Sequence, residues 1–269
     1  MDTLPIFNAI SYLAPNWLEY YQELVLFLGR VLQCETQFAA SDRDPLNDLQ
    51  LWEDNVDLAF ICGLPFIRYC RTAPKRLRAI AAPVMQAERY QNCPVYFSDV
   101  IVHAESQFQT FSDLVGSTVC YNDPGSNSGY YLLQYRLLQE QCSTRFFKNA
   151  VQSGSHQRSI CWVIEGKADC AAIDSTVLEQ EFRVFPELAH QVRIIESSEP
   201  CPMPPIVVAQ HLGDDLIDQI QTALLQPDMQ LKAAMTQMDV KQYAAVNTKD
   251  YDVIAQIYDM VTNSCFSQL

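Results

Sequence analysis

Three short polar stretches have the residue types and the placement to hold an anion. They are Ser126-Asn127-Ser128, Gly154-Ser155-His156, and the run Cys170-Ala171-Ala172-Ile173-Asp174. In the first, Pro124 and Gly125 make a turn, and Ser126 stands where an N-cap belongs, ahead of Tyr131, Leu132, Tyr135 and Leu138. The first N–H groups of a helix have no internal partner and carry the positive end of its dipole, which suits a phosphate-like anion. A cap needs one hydroxyl, and three consecutive polar side chains between Gly125 and Gly129 exceed that need. Anion binding is therefore favoured over capping alone. His156 sits at a second helix start; a histidine in isolation is more often satisfied at the surface, and here the two readings weigh equally. Asp174 ends a strand at the edge where ligands of open α/β sheets collect. Its bland alternative is a cap of the helix over roughly 176–182.

Several catalytic patterns are excluded. Gly125-Ser126-Asn127-Ser128-Gly129 has asparagine where a nucleophile elbow has serine, and no H-E-x-x-H, Walker loop or G-x-G-x-x-G occurs. The histidines, 103, 156, 190 and 211, are too scattered for a metal site, and no cofactor is expected. No C-x-x-C pair occurs among the ten cysteines, several of which lie in apolar runs as small hydrophobes. So many cysteines favour reduced thiols and a cytoplasmic chain as the sequence stands, or a periplasmic one if a leader was removed, since Met1-Asp2-Thr3-Leu4 shows no signal pattern.

The elements that must position these residues alternate. Strands are expected over 5–12, 37–40, 56–61, 78–84, 96–103, 117–121, 170–174, 192–196 and 206–209. Helices are expected over 15–32, 44–53, from Ser126 to about 141, and over 157–165, 213–225, 227–238 and 250–262. This alternation argues for parallel βαβ units in an α/β fold. Ser98-Asp99 is an awkward polar pair for a buried strand. A net charge of −14 argues against nucleic acid and anionic membranes as partners, though not against a small anion held locally. The run Arg68, Arg71, Lys75, Arg76 and Arg78 reads as a solvated helix end rather than a docking surface. No apolar run is long enough for a transmembrane helix.

Asp123-Pro-Gly-Ser-Asn-Ser-Gly129, Ser153-Gly-Ser-His156 and Gly166-Lys-Ala-Asp-Cys-Ala-Ala-Ile-Asp-Ser175 together resemble the PhnD-like phosphate/phosphonate-binding family of periplasmic solute-binding proteins. Val56–Gly63, Tyr96–Val102 and Pro205–Val208 extend the resemblance over nearly the whole chain. It implies a type 2 two-lobed fold, each lobe a mostly parallel sheet flanked by helices, with two crossing strands near Ser98–Glu105 and Ser197–Pro204. The lobes would be 1–99 plus 204–269, and 100–203, hinging shut on a ligand between them. The resemblance carries ligand contacts onto Ser126, Asn127, Ser128, His156 and Tyr96, and adds Tyr12 with Ile61, Cys62 and Gly63 from the first lobe. Asn127 replaces the family's threonine, Ile61 or Cys62 stands where an aromatic contact is expected, and Pro202-Met203-Pro204-Pro205 offers no carboxylate to an ammonium. Phosphate, phosphite or a simple alkylphosphonate is therefore the expected ligand, and an ABC permease the expected partner. The alternatives are a cytoplasmic enzyme on the same fold, using His156, Asp174 or Cys62, or a ligand sensor.

Overall fold

The computed structural model describes residues 5–140, 146–264 and 269. The leader reading of Met1–Leu4 and the residues Cys142, Arg145 and Cys265 lie outside them. The chain forms two compact units, Met1–Val95 with Pro202–Asp252, and Tyr96–Cys201 with Val253–Leu269.

In chain order the elements are β1 (Ile6–Ser11), α1 (Leu18–Leu32), β2 (Glu35–Ala40), α2 (Leu49–Trp52), β3 (Leu58–Phe60), α3 (Gly63–Thr72), β4 (Leu77–Met85) and β5 (Val95–Tyr96). They continue with β6 (Ser98–His103), β7 (Thr118–Tyr121), α4 (Leu132–Gln139), β8 (Asn149–Gln152), α5 (His156–Ile164), β9 (Cys170–Asp174), α6 (Ser175–Val184) and β10 (Val192–Ser197). The return passage is β11 (Cys201–Pro202), followed by β12 (Ile206–Ala209), α7 (Asp214–Leu225), α8 (Met229–Gln237), β13 (Val240–Ala245) and α9 (Asp252–Thr262).

The first unit is built on a six-stranded sheet in the order β13-β4-β12-β3-β1-β2. The pairs β1–β2 and β1–β3 are parallel, and β12 runs against both β3 and β4. β3 is buried along its whole length, which is why it reads as a continuous apolar run rather than an alternation. α1 buries Tyr21, Leu24, Val25 and Leu28, and Tyr21 stacks on Phe60 of β3 at 4.0 Å. Within the basic run, Arg76 forms an ion pair with Asp54 at 3.4 Å, and Arg78 with Asp214 at 3.3 Å.

The second unit has a five-stranded sheet, β10-β6-β9-β7-β8. Here β7 runs parallel to β8 and β9, while β6 is antiparallel to β9 and β10. Both sheets thus keep most strands in one direction and insert reversed ones, as expected of a mostly parallel fold.

Three features differ from the sequence expectations. The passages between units are the short strands β5 and β11, and β6, expected as a crossing, lies wholly inside the second unit. β13 was not expected: Val240-Lys-Gln-Tyr-Ala-Ala has no apolar run, because only Val240 and Tyr243 turn inward from a sheet edge. Finally, α9 from Val253 onward groups with the second unit, although the sequence placed 204–269 in the first. Its Tyr258 meets Tyr131 at 5.2 Å, a contact between residues far apart in the chain.

Candidate functional site

The polar turn lies in the second unit, directly after β7. Asp123 prepares it: its carboxylate accepts from Gly125 N–H at 2.6 Å and its carbonyl from Ser126 N–H at 3.0 Å. Ser126 is extended and its hydroxyl accepts from Gly129 N–H at 3.1 Å, the N-cap geometry expected from the sequence. Residues Asn127–Tyr131 then wind as a π-helical turn before α4. The wide first turn leaves the N–H groups of Asn127 and Ser128 without an acceptor among the described residues.

Residues from elsewhere in the unit fix this turn. Ser98 of β6 donates its hydroxyl to the Ser128 carbonyl at 2.7 Å. His156, at the start of α5, holds Nε2 3.1 Å from Ser128 Oγ. Ser155 caps α5 by accepting from Arg158 N–H at 3.1 Å, so His156 occupies the first position of a nine-residue helix. Asn127 is fully buried, and its Nδ2 donates to the Tyr96 hydroxyl at 2.7 Å and to Cys201 Sγ at 3.5 Å. The awkward pair Ser98-Asp99 is thereby explained: Ser98 pins the turn, and buried Asp99 accepts from Ser197 Oγ at 2.6 Å.

Five of the predicted residues thus converge: Ser126, Asn127, Ser128, His156 and Tyr96. Burial holds the His156 imidazole down to about 4, so the ring is neutral near neutral pH. Among the described residues, His156 Nδ1, Asn127 Oδ1 and Asn122 Oδ1 are buried polar atoms with no partner, an uncommon concentration in one place. Among the described residues, neither lysine nor arginine is a hydrogen-bond partner of the turn. Ser98 and Asn122 were missed as site residues, although the polarity of Ser98 within an apolar strand was a usable signal.

Asp174 sits opposite Ser98 in the β6–β9 register, and its contacts are those of a helix cap. Oδ1 accepts from Thr176 N–H at 2.9 Å and from Thr176 Oγ1 at 2.7 Å. Burial raises its carboxyl to about 6, against the lowering pull of those bonds. The folded state therefore holds a proton that the unfolded chain releases between the ordinary carboxylate range and pH 6. Its stabilising effect is present at low pH and lost as pH rises through 6. Asp174→Asn keeps the cap and removes that loss. Denaturant melts should show it more stable than the parent near neutral pH by roughly 1–3 kcal/mol and equal to it below about pH 4.

In the first unit, Tyr12 N–H donates to Phe60 O at 2.9 Å, so Tyr12 and Cys62 leave the same edge of the sheet. Tyr12 donates its hydroxyl to Asp48 at 3.1 Å, and burial together with that carboxylate raises its pKa. Cys62 is the extended N-cap of α3 and makes no side-chain cap; Gly63 is the first helical residue. Pro65 has no N–H to offer, so Gly63 and Leu64 supply the open donors of that helix start.

A family model for the periplasmic phosphonate-binding protein of ABC transporters matches residues 10–251. The chain belongs to that family. A phosphonates-binding periplasmic protein of Escherichia coli is 24% identical over 213 residues, 77% of this chain and 60% of that protein. The chain thus spans 60% of that relative's length. Among solved structures, a binding component of an ABC phosphonate transporter from Pseudomonas aeruginosa superposes with a TM-score of 0.83 at 17% identity, covering 96% of this chain and 87% of that one. PhnD1 from Prochlorococcus marinus, in complex with methylphosphonate, gives a TM-score of 0.83 at 16% identity, with 96% and 99% covered. These likenesses establish the type 2 periplasmic-binding-protein fold of the chain.

Proposed function

We propose that this chain is a solute-binding receptor of an ABC importer that holds a small phosphate-, phosphite- or phosphonate-like oxyanion on the turn after β7. The observation that supports it is the pair of open N–H groups at Asn127 and Ser128, beside the Ser126 hydroxyl and the linked Ser128–His156 pair, which with a neutral ring presents one further donor, either Ser128 Oγ–H or His156 Nδ1–H. Uncharged donors at a helix start hold anions through oriented dipoles, without a lysine or arginine. Tyr96 supports the turn through Asn127, and Asp174 shapes it from the neighbouring strand. Tyr12, Cys62 and Gly63 are proposed as the ligand-facing residues of the first unit.

The family description, a substrate-binding protein, supports a receptor over the enzyme that the sequence left open. Such a receptor works outside the cytoplasmic membrane and meets a permease there. Among the described residues no helix is long and apolar enough to cross a membrane. Calorimetry with phosphate, phosphite and methylphosphonate tests the reading. At least one should bind, and Ser128→Ala should weaken it by about 10- to 100-fold, the worth of a hydrogen bond to a charged group. Absence of binding by all three would overturn it.

A further inference from the structure

Resting on that reading, we propose that the site selects a tetrahedral oxyanion that still carries an O–H, and rejects one that has none, such as a sulfonate. The turn offers more than donors. Both hydrogens of Asn127 Nδ2 are committed, one to Tyr96 and one to Cys201, so what Asn127 has left is Oδ1, an acceptor, in a fully buried side chain. Asn122 Oδ1 is a second buried acceptor without a donor among the described residues. It lies 1.9 Å from the point where a β-carbon on Gly129 would stand, and His156 Cε1 lies 3.2 Å from that same point. Asn122 and His156 therefore flank the same residue of the turn.

A bare anion brought to these carbonyl oxygens would meet lone pairs and leave the acceptors unsatisfied, at a cost of about 1–3 kcal/mol each. A ligand hydroxyl removes that cost. The charge count points the same way, since among the described residues the turn has no cationic partner to balance a second negative charge. Titratable side chains on the elements meeting the turn are Tyr96, Asp99, His103, Cys120, Tyr121, Asp123, Tyr130, Tyr131, Tyr135, Arg136, His156, Arg158, Cys161, Cys170, Asp174 and Cys201, and Arg136 is paired with Glu196 at 2.6 Å. Of these, Arg158 directs its guanidinium to the Ser153 carbonyl at 3.1 Å, and Asp99 and Asp174 are held by Ser197 and Thr176. A ligand that keeps its own proton fits both the empty acceptors and the missing cation.

The test compares two ligands of matched shape, methylphosphonate and methanesulfonate, by calorimetry on the intact protein near neutral pH. Methylphosphonate should bind at least about 100-fold more tightly, because a site built around a ligand O–H leaves its acceptors unpaired without one. A second arm works near pH 9, where methylphosphonate is mostly a dianion in solution, in two buffers of different ionisation enthalpy. Binding there should take up about one proton per site, and His156→Gln, which binds more weakly, should still take up that proton per ligand bound when saturated. Comparable affinity for methanesulfonate would overturn the proposal, placing Asn127 Nδ2 rather than Oδ1 toward the ligand. Loss of uptake in His156→Gln would also overturn it, assigning the proton to the imidazole. Failure of phosphate, phosphite and methylphosphonate alike would instead remove the oxyanion reading beneath it.

Discussion

Gly129→Ala is expected to fold and to lose its anion. The new β-carbon would stand 1.9 Å from Asn122 Oδ1 and 3.2 Å from His156 Cε1, so both side chains must move. Asn122 can swing its amide away, because the nearest atom is the end of a side chain rather than backbone. The stability cost is therefore moderate, about 1–2 kcal/mol by the usual scale of overpacking. The binding cost is larger, because the displaced groups are the ones that flank the turn. Methylphosphonate affinity should fall by at least about 100-fold while the thermal transition remains cooperative and shifts by only a few degrees. Unchanged affinity would show that Asn122 and the His156 ring play no part in the site.

His156→Ala is the second large effect, and it has two separable readouts. Removing the ring takes away Nδ1 and releases Ser128 Oγ from its 3.1 Å contact, so oxyanion affinity should drop by about 100-fold. The second readout is stability against pH. The imidazole is held near 4 by burial, below its ordinary value, so between about pH 6.5 and 4 the unfolded chain binds the proton and the folded one does not. Stability therefore falls with pH across that window through this group, by on the order of 3 kcal/mol in total. In the variant that decline disappears, so its stability deficit against the parent should shrink as the pH is lowered from 7 to 4. Asp174 acts in the opposite sense over much of the same range, and the parent should show a flatter acid profile than either variant. A deficit that stays constant with pH would mean that the ring titrates freely.

Receptor function of this kind asks little of reactive chemistry and much of placement. The polar turn proposed to hold the anion is local in origin. Ser126 and Ser155 each accept from the N–H three residues ahead, at 3.1 Å in both cases, and an amino-acid pattern is sufficient to specify such caps. The same holds for Asp174, whose cap on Thr176 follows from its place between β9 and α6. Alternating strands and helices were legible for the same reason: the periodicity of burial is written in consecutive residues. Edge strand β13 was not legible, because a half-exposed edge leaves only two inward residues to show.

What the sequence by itself determined is the capped polar helix start and the α/β order around it, since both depend on groups within one turn of each other. Only the tertiary structure decided which side chains complete that start. Ser128 meets Ser98 and His156 across 30 and 28 residues, and Asn127 meets Tyr96 and Cys201 across 31 and 74. Those meetings depend on strand register and on where the two passages between units fall, and no local spacing encodes either. They also change the role of Asn127: read as a donor to the anion, it spends its donors on β5 and β11 and keeps an acceptor for the ligand.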